Sequence, residues 1–576
     1  MPPLFAVPPP PREFGLTWLD YASVVLYLLL TAGIVWWSSR KQGTTEQFFV
    51  GGRRLPWFAV GLSIMATLLS TLTYLGTPGE TIKNGVALLW GYAAYVVVVP
   101  FVMILLVPFF MRLRMTSAYE YLQRRFDYRL QLLGSLLFLC LRLGWISLVM
   151  YAGSLALAGM LERSSIPGLD DGGAIYKVIW GMGIASTIYA CFGGLKAVVW
   201  TDVVQAIMLF GGVFAVIGYV MITTDTGLAT WWNTASSLNK THTNPDLFSL
   251  SPFARFTIVT VIIDRLFWNI CTHGGDQVVL QRYFATPSVG TALRSFVVTL
   301  VSQISMALLL TVSGLALLYF YITYPNYLGG TTLGDKTLPY FYARQLPAGF
   351  GGLILANFLC DGMQTLVSGV NSMAAVVTKD LFGRSGPEEG TSDRKQLMFA
   401  RGLTFGIGLL CTFFAWAAAN YMESHQGKFN IIDLLPRFNM FLGPLGCLFF
   451  IGMFLPRARA RTALISIGVA LLISGIWTWW VELLGVFYWL RVRVSGVADA
   501  PAFADWYFST FGTNAPLSIS WATSLPCIVG FLTAWVLSYV LENGGDHPGR
   551  AYTWREVMKR PAPSEAAESS ATGATS

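Results

Sequence analysis

The sequence predicts an all-α polytopic membrane protein with about 13 transmembrane helices, because apolar runs of roughly 20 residues recur from one end to the other. Two further observations agree. Of the 576 residues 54% are hydrophobic and 12% charged, against about 25% charged in a typical soluble domain. The mean hydropathy is +0.57.

The apolar windows are 16–38, 55–78, 85–111, 130–160, 174–192, 198–222, 254–275, 288–322, 338–378, 397–420, 430–455, 461–486 and 516–541. Residues 1–15 are Pro-rich and lack the basic start and small-residue cleavage site of a signal peptide, so window 16–38 reads as a true helix. The fourth, eighth and ninth windows exceed the bilayer and imply tilt or interfacial turns. Segment 487–515, which carries Trp506–Phe508, reads as a large outer loop. The tail 542–576 turns polar and reads as largely disordered.

Lys and Arg gather in four places: Arg40, Lys41, Arg53, Arg54; Arg112, Arg114, Arg124, Arg125, Arg129; Lys379, Arg384, Arg394, Lys395; and Arg457, Arg459, Arg461. Alternating spans put all four on one side, so the N-terminus is outside and the C-terminus cytoplasmic in a multi-pass protein of the cell membrane. The net charge of +8 then needs no nucleic-acid partner. A basic rim against anionic lipid of the bilayer accounts for it. No obligate protein partner is inferred. The seven cysteines fall in or beside spans, without the spacing of a disulfide framework or a metal site.

Two spans are interrupted at matching places. The second carries Ser63, Thr67, Ser70, Thr71 and Thr73 before Gly76, Pro78 and Gly79, and the seventh carries Asn269, Thr272, His273, Gly274 and Gly275. Each opens a five-helix set, 55–222 and 254–455. One helix precedes the pair (16–38) and two follow it (461–541). Ordinary Pro/Gly kinks would explain either span alone, but the pairing points to an inverted repeat whose broken helices expose carbonyls at mid-membrane. Between them, Gly193 and Gly194 separate two apolar runs, Lys196 sits at the water boundary and Asp202 enters the next helix. A carboxylate there costs roughly 2.5–3.5 kcal/mol on insertion scales, so it marks an ion pathway unless Thr201 or Asp202 merely caps a helix.

The stretch GGLKAVVWTDVVQ (Gly193 to Gln205) resembles the signature of the sodium:solute symporter family. Three more stretches match in the family's order: Leu55 to Glu80, DQVVLQRYFAT (Asp276 to Thr286) and QTLVSGVNSMAAVVTKDLF (Gln364 to Phe382). LGTPGE and Thr116 to Phe126 look most like the monocarboxylate, multivitamin and iodide branch. The resemblance implies a LeuT-like 5+5 inverted-repeat core, no enzymatic chemistry and Na+ as coupling ion. Its sodium site carries over to Ala66, Leu69, Asp361, Gln364 and Thr365. Relatives have a small residue where Asp361 stands and Ser where Gln364 stands, so Asp361 leaves the ion's identity and stoichiometry open. The substrate positions are Ser70, Thr73, Asn269, Thr272 and His273; Asp202 would receive the ion on release. Trp145, Tyr151 and Trp268 could wall or gate the cavity.

Arg142 lies in the middle of the fourth window and requires an anionic partner. Asp361, Asp264 and a substrate anion compete for it. The sequence therefore points to sodium-driven import of a small organic solute, an anion such as a monocarboxylate, by alternating access. A proton-coupled carrier using Asp361 and a non-transporting sensor on the same scaffold are the alternatives.

Overall fold

The computed structural model describes residues 10, 17–40, 43–161, 173–241, 248–254, 257–328, 333–334, 337–347, 349–382, 393–424, 437, 439–495, 503–511, 517–542, 545 and 547–561. Every regular element among them is helical. The helices that frame the centre are α1 (Trp18–Ser39), α2 (Trp57–Leu68), α3 (Thr71–Asn84), α4 (Ala87–Arg112), α5 (Tyr128–Leu161), α6 (Ala174–Thr224), α7 (Ile258–Gly275) and α8 (Gln277–Phe284). They continue as α9 (Val289–Thr323), α10 (Phe350–Val376), α11 (Asp393–Ser424), α12 (Leu442–Phe454), α13 (Ala460–Thr478) and α14 (Ser524–Val540). Among the described residues eight helices are long and apolar enough to cross a membrane, or nine if α2 and α3 form one broken span. Leu26, Val96, Ile207 and Val540 stand exposed on outer faces, where lipid makes such exposure favourable.

The break in the first pair falls earlier than the Gly/Pro signals suggest. α2 and α3 meet at Leu69–Ser70 with a bend of 64°, while Gly76, Pro78 and Gly79 lie inside continuous α3. The last bond of α2 is Leu69 N to Met65 O, and α3 restarts with Ser70 O accepting from Thr73 and Tyr74. Pro78 is accommodated because its backbone is pressed against Gly314 of α9: a Cβ on that glycine would sit 3.0 Å from Pro78 O. The second break is one residue long, at Asp276 between α7 and α8.

The two windows 174–192 and 198–222 fuse into the 51-residue α6. At about 1.5 Å per residue that is more than twice the hydrocarbon thickness. Gly194, at φ 54° and ψ −176°, turns the chain between them; only glycine adopts that conformation readily. α10 packs on α6 and α5, α11 on α6, and α9 on α2.

Two expectations change at the ends. Part of the expected outer loop is helical, as Trp480–Ser495 and Phe503–Phe511, joined by the Tyr488 and Trp506 rings at 5.0 Å. Part of the tail is ordered: residues 547–560 dock on the bundle through Arg125, Arg112 and Leu105. The remaining tail, Glu542, Gly545 and Pro561 apart, and residues 1–15, Pro10 apart, lie outside the described residues. The six described cysteines are unbridged.

Candidate sodium and solute sites

Asp361 projects from α10 towards the start of α3. Its carboxylate accepts the Thr71 hydroxyl in a short hydrogen bond and the Gln205 amide at 3.1 Å. Both donors are neutral, so Asp361 ties α3, the second half of the first broken helix, to α6 and α10 without an arginine. One nearby group is left over: the Thr67 hydroxyl is buried at the end of α2 with no hydrogen-bond partner among the described residues, whereas the Gln364 amide lies beside the Asp202 carboxylate. Buried polar groups are normally satisfied. A spare oxygen beside the α2–α3 break therefore fits a small hard cation, which prefers oxygen ligands and brings its own charge. Ala66 and Leu69 border the same break and Thr365 lies one residue beyond Gln364.

Asp202 sits in mid-helix, not at a cap. The neighbouring Thr201 hydroxyl bonds back to Ala197 O and Val198 O, 3.0 and 2.9 Å away. The Asp202 carboxylate accepts the Ser63 hydroxyl in a short bond and Arg282 Nη2 at 3.1 Å. Arg282 also donates to Ser63 at 2.7 Å, Ser368 at 2.9 Å and Val278 O at 2.8 Å. Both charges are fully buried. This cluster joins α2, α6, α8 and α10, so one half of each broken helix, α2 and α8, is bonded to the bundle. A second set of bonds seals the same end: Gln277 engages Ala118 N at 2.7 Å and Thr116 O at 2.8 Å, and Tyr119 donates to Gly275 O at 3.0 Å. Lys196 lies 4.3 Å from the centre of the Trp37 ring.

Arg142 pairs with neither Asp361 nor Asp264. Its fork meets Asp276: Nε donates to Oδ1 at 3.2 Å and Nη2 forms a close ion pair with Oδ2. The reason is topological, because the one-residue break places Asp276 facing α5 while Asp361 is turned towards Thr71. Asp276 Oδ1 also accepts Val278 N at 3.0 Å, which starts α8. The sequence did hold a signal for Asp276, a carboxylate directly after Gly274–Gly275 in a membrane span.

A cavity of about 20 Å³ adjoins this pair and Thr272; in this state that is room for a water and too small for an organic solute. A larger cavity of about 200 Å³ opens beside it, reached past Leu68, Trp145, Trp268 and Asn439, which border both. Thr73, Thr77, Asp264, Arg265 and Gln303 line the larger one. The other substrate positions lie off these cavities. Ser70 contacts the Thr73 hydroxyl at 3.5 Å. Asn269 is engaged by Tyr95 at 3.3 Å and donates to Arg265 O at 2.7 Å. His273 is buried against Phe296 and hydrogen-bonds the Tyr283 hydroxyl at 2.8 Å, which makes it part of the packing. Tyr151 donates to Glu423 at 3.0 Å.

The family model described as the sodium:solute symporter family matches residues 48–469. A sodium/sialic acid symporter of Aliivibrio fischeri is 28% identical over 503 residues, 86% of this chain and 95% of that protein. The sodium/iodide cotransporter of Homo sapiens is 30% identical over 470 residues, 79% and 69% of the two chains. The sodium-dependent multivitamin transporter of Oryctolagus cuniculus is 30% identical over 517 residues, 88% and 76%. A solved structure of a Na+-coupled sialic acid symporter, substrate-bound and outward-open, superposes with a TM-score of 0.75 at 23% identity over 91% of this chain and 98% of its own, which shows a shared fold. These relatives are transporters and not enzymes, and they support sodium as the coupling ion carried with a small organic solute. The match over most of its length shows that the chain belongs to the sodium:solute symporter family.

Proposed function

We propose that this chain imports a small organic anion bearing a carboxylate, using a 5+5 inverted-repeat core (55–222 and 254–455) within about 13 helices, N-terminus outside and C-terminus cytoplasmic. The carrying observation is the asymmetry about the two breaks. On one side the inner half-helices are held by Asp202, Arg282 and Gln277; on the other a cavity of about 200 Å³ lies between the outer halves. That asymmetry supports an outward-facing state of an alternating-access cycle. Sodium would use the Ala66 and Leu69 carbonyls with Gln364 and Thr365, and Asp361 would hold Thr71 in place beside it. Asp202 would accept the ion on release only after Arg282 lets go.

For the solute, Arg142, Thr73 and Thr272 form the central set, and Ser70 joins it as the break opens. The threonines, Gln303 and Asp264 offer hydrogen bonds that a bare monocarboxylate cannot use. We therefore favour a hydroxylated carboxylate, the chemistry of the sialic acid that the Aliivibrio relative is named for. Uptake into proteoliposomes decides: N-acetylneuraminate, lactate, pyruvate, biotin and iodide are offered with and without an inward sodium gradient. Sodium-dependent accumulation of a carboxylate is expected. Uptake driven by a pH gradient and indifferent to sodium would overturn the reading.

A further inference from the structure

Arg142, Arg265 and Arg282 lie around the second helix break, and they differ in how they are matched. Arg142 has Asp276 and Arg282 has Asp202. Arg265 has no carboxylate within ion-pair distance among the described residues, although Asp264 precedes it. Neighbouring positions on a helix project about 100° apart, so the two side chains reach the same cavity from different directions. The Arg265 guanidinium lies instead 5.6 Å from the Tyr92 ring and 5.8 Å from the Trp268 ring. Its Nε is buried and makes no hydrogen bond among the described residues. Stacking between rings leaves the edge of the fork, where its donors point, able to engage a carboxylate in two bonds.

The cavity that Arg265 lines is the roomier of the two, at about 200 Å³ against about 20 Å³ at Arg142. Trp268 belongs to both and lies between the two arginines. Arg142 is already neutralised, so an anion arriving there must compete with Asp276. An anion arriving at Arg265 displaces no carboxylate. Asp264 supplies the complementary acceptor for hydroxyl groups of the same solute.

We propose that Arg265 and Asp264 form a second, outer solute site that captures a hydroxylated carboxylate before it passes Trp145 and Trp268 to the centre. Arg265 takes the carboxylate and Asp264 the hydroxyls. The proposal rests on the anion reading above, but its test requires neither sodium nor transport, so the two can fail separately.

The test places a thiol at the cavity wall with Thr77→Cys, in a background where Cys140 and Cys360 are serine. Labelling rates are compared for two methanethiosulfonate reagents, one carrying a sulfonate and one a trimethylammonium. Arg265→Gln should lower the sulfonate-to-ammonium rate ratio about fivefold or more, the factor that roughly 1 kcal/mol of attraction supplies. Asp264→Asn should raise it and Arg265→Lys should restore it. Millimolar N-acetylneuraminate should slow labelling, and the protection should vanish in Arg265→Gln and return in Arg265→Lys. A ratio indifferent to Arg265, protection that survives its loss, or no protection at all would each overturn the outer site. Recovery of the ratio in Arg265→Lys separates a charge effect from a folding defect.

Discussion

Arg142 and Asp276 bring opposite charges together where α5 crosses the second helix break, and both are buried. Taking two charges out of water is unfavourable, and their attraction offsets this only while both are present. Asp276→Asn alone should therefore destabilise by roughly 3–5 kcal/mol, and adding Arg142→Gln should recover much of it. Thermal unfolding of the two single variants and the double variant in detergent measures the coupling; additive losses would mean the pair is not a unit. The proposed sodium site allows a second test at the same scale. Thr365→Ala removes one hydroxyl oxygen, and the sodium concentration for half-maximal uptake should rise roughly tenfold for a loss of about 1.4 kcal/mol. Unchanged sodium dependence would remove Thr365 from the ligands. Asp361 itself holds Thr71 and Gln205, which gives it a positioning role even where a main-chain oxygen binds the ion.

At the scale of elements, α6 turns at one residue. Gly194→Ala adds a Cβ at φ 54° and ψ −176° and should cost about 1–3 kcal/mol, read as lowered Tm with the protein still inserted. The C-terminal strap is the other element whose behaviour follows from its bonds. Arg125 is buried under the carbonyls of Gly452, Leu455 and Ala458 and lies 3.5 Å from His547 Nε2. Trp554 donates to Leu105 O at 3.0 Å, and Leu105 belongs to the π-helical turn Phe101–Leu106, whose wide spacing leaves carbonyls available. Partial burial, then the Arg125 charge, hold the His547 pKa below its ordinary 6.5. The undocked strap thus binds a proton at a higher pH than the docked one. Docking should be fully present above about pH 6.5 and weaken as the pH falls below it. Amide exchange of residues 547–560 at pH 7.5 and 5.5 checks this, and His547→Gln should abolish the difference.

For the whole molecule, coupling is an energy balance across the membrane. One net charge moving through 100 mV releases about 2.3 kcal/mol, enough for roughly 50-fold accumulation of the solute. Clamping proteoliposomes at zero potential should cut steady-state accumulation by about that factor per 100 mV removed and per net positive charge carried. Accumulation indifferent to potential would mean that sodium and anion cross as a neutral set. Under the proposed cycle the Arg282 cluster keeps one side shut, because α2 and α8 part only when Arg282 releases Asp202, Ser63 and Ser368.

Hydropathy and spacing alone determined that this is a multi-span helical protein, and the family motifs added its relatives and its coupling ion. Those properties are local: an apolar run long enough to span, or a motif such as GGLKAVVWTDVVQ, is complete within its own segment. The two breaks were legible as regions, and the first falls at Leu69–Ser70 within the Ser63–Gly79 stretch, although Gly76, Pro78 and Gly79 are intrinsically poor helix formers. Packing against Gly314 and the bond from Thr71 to Asp361 overrode that preference. Charge partners were beyond the sequence for the same reason. Arg142 meets a residue 134 positions away and Asp202 one 80 away, so only the tertiary structure decides which carboxylate each arginine reaches.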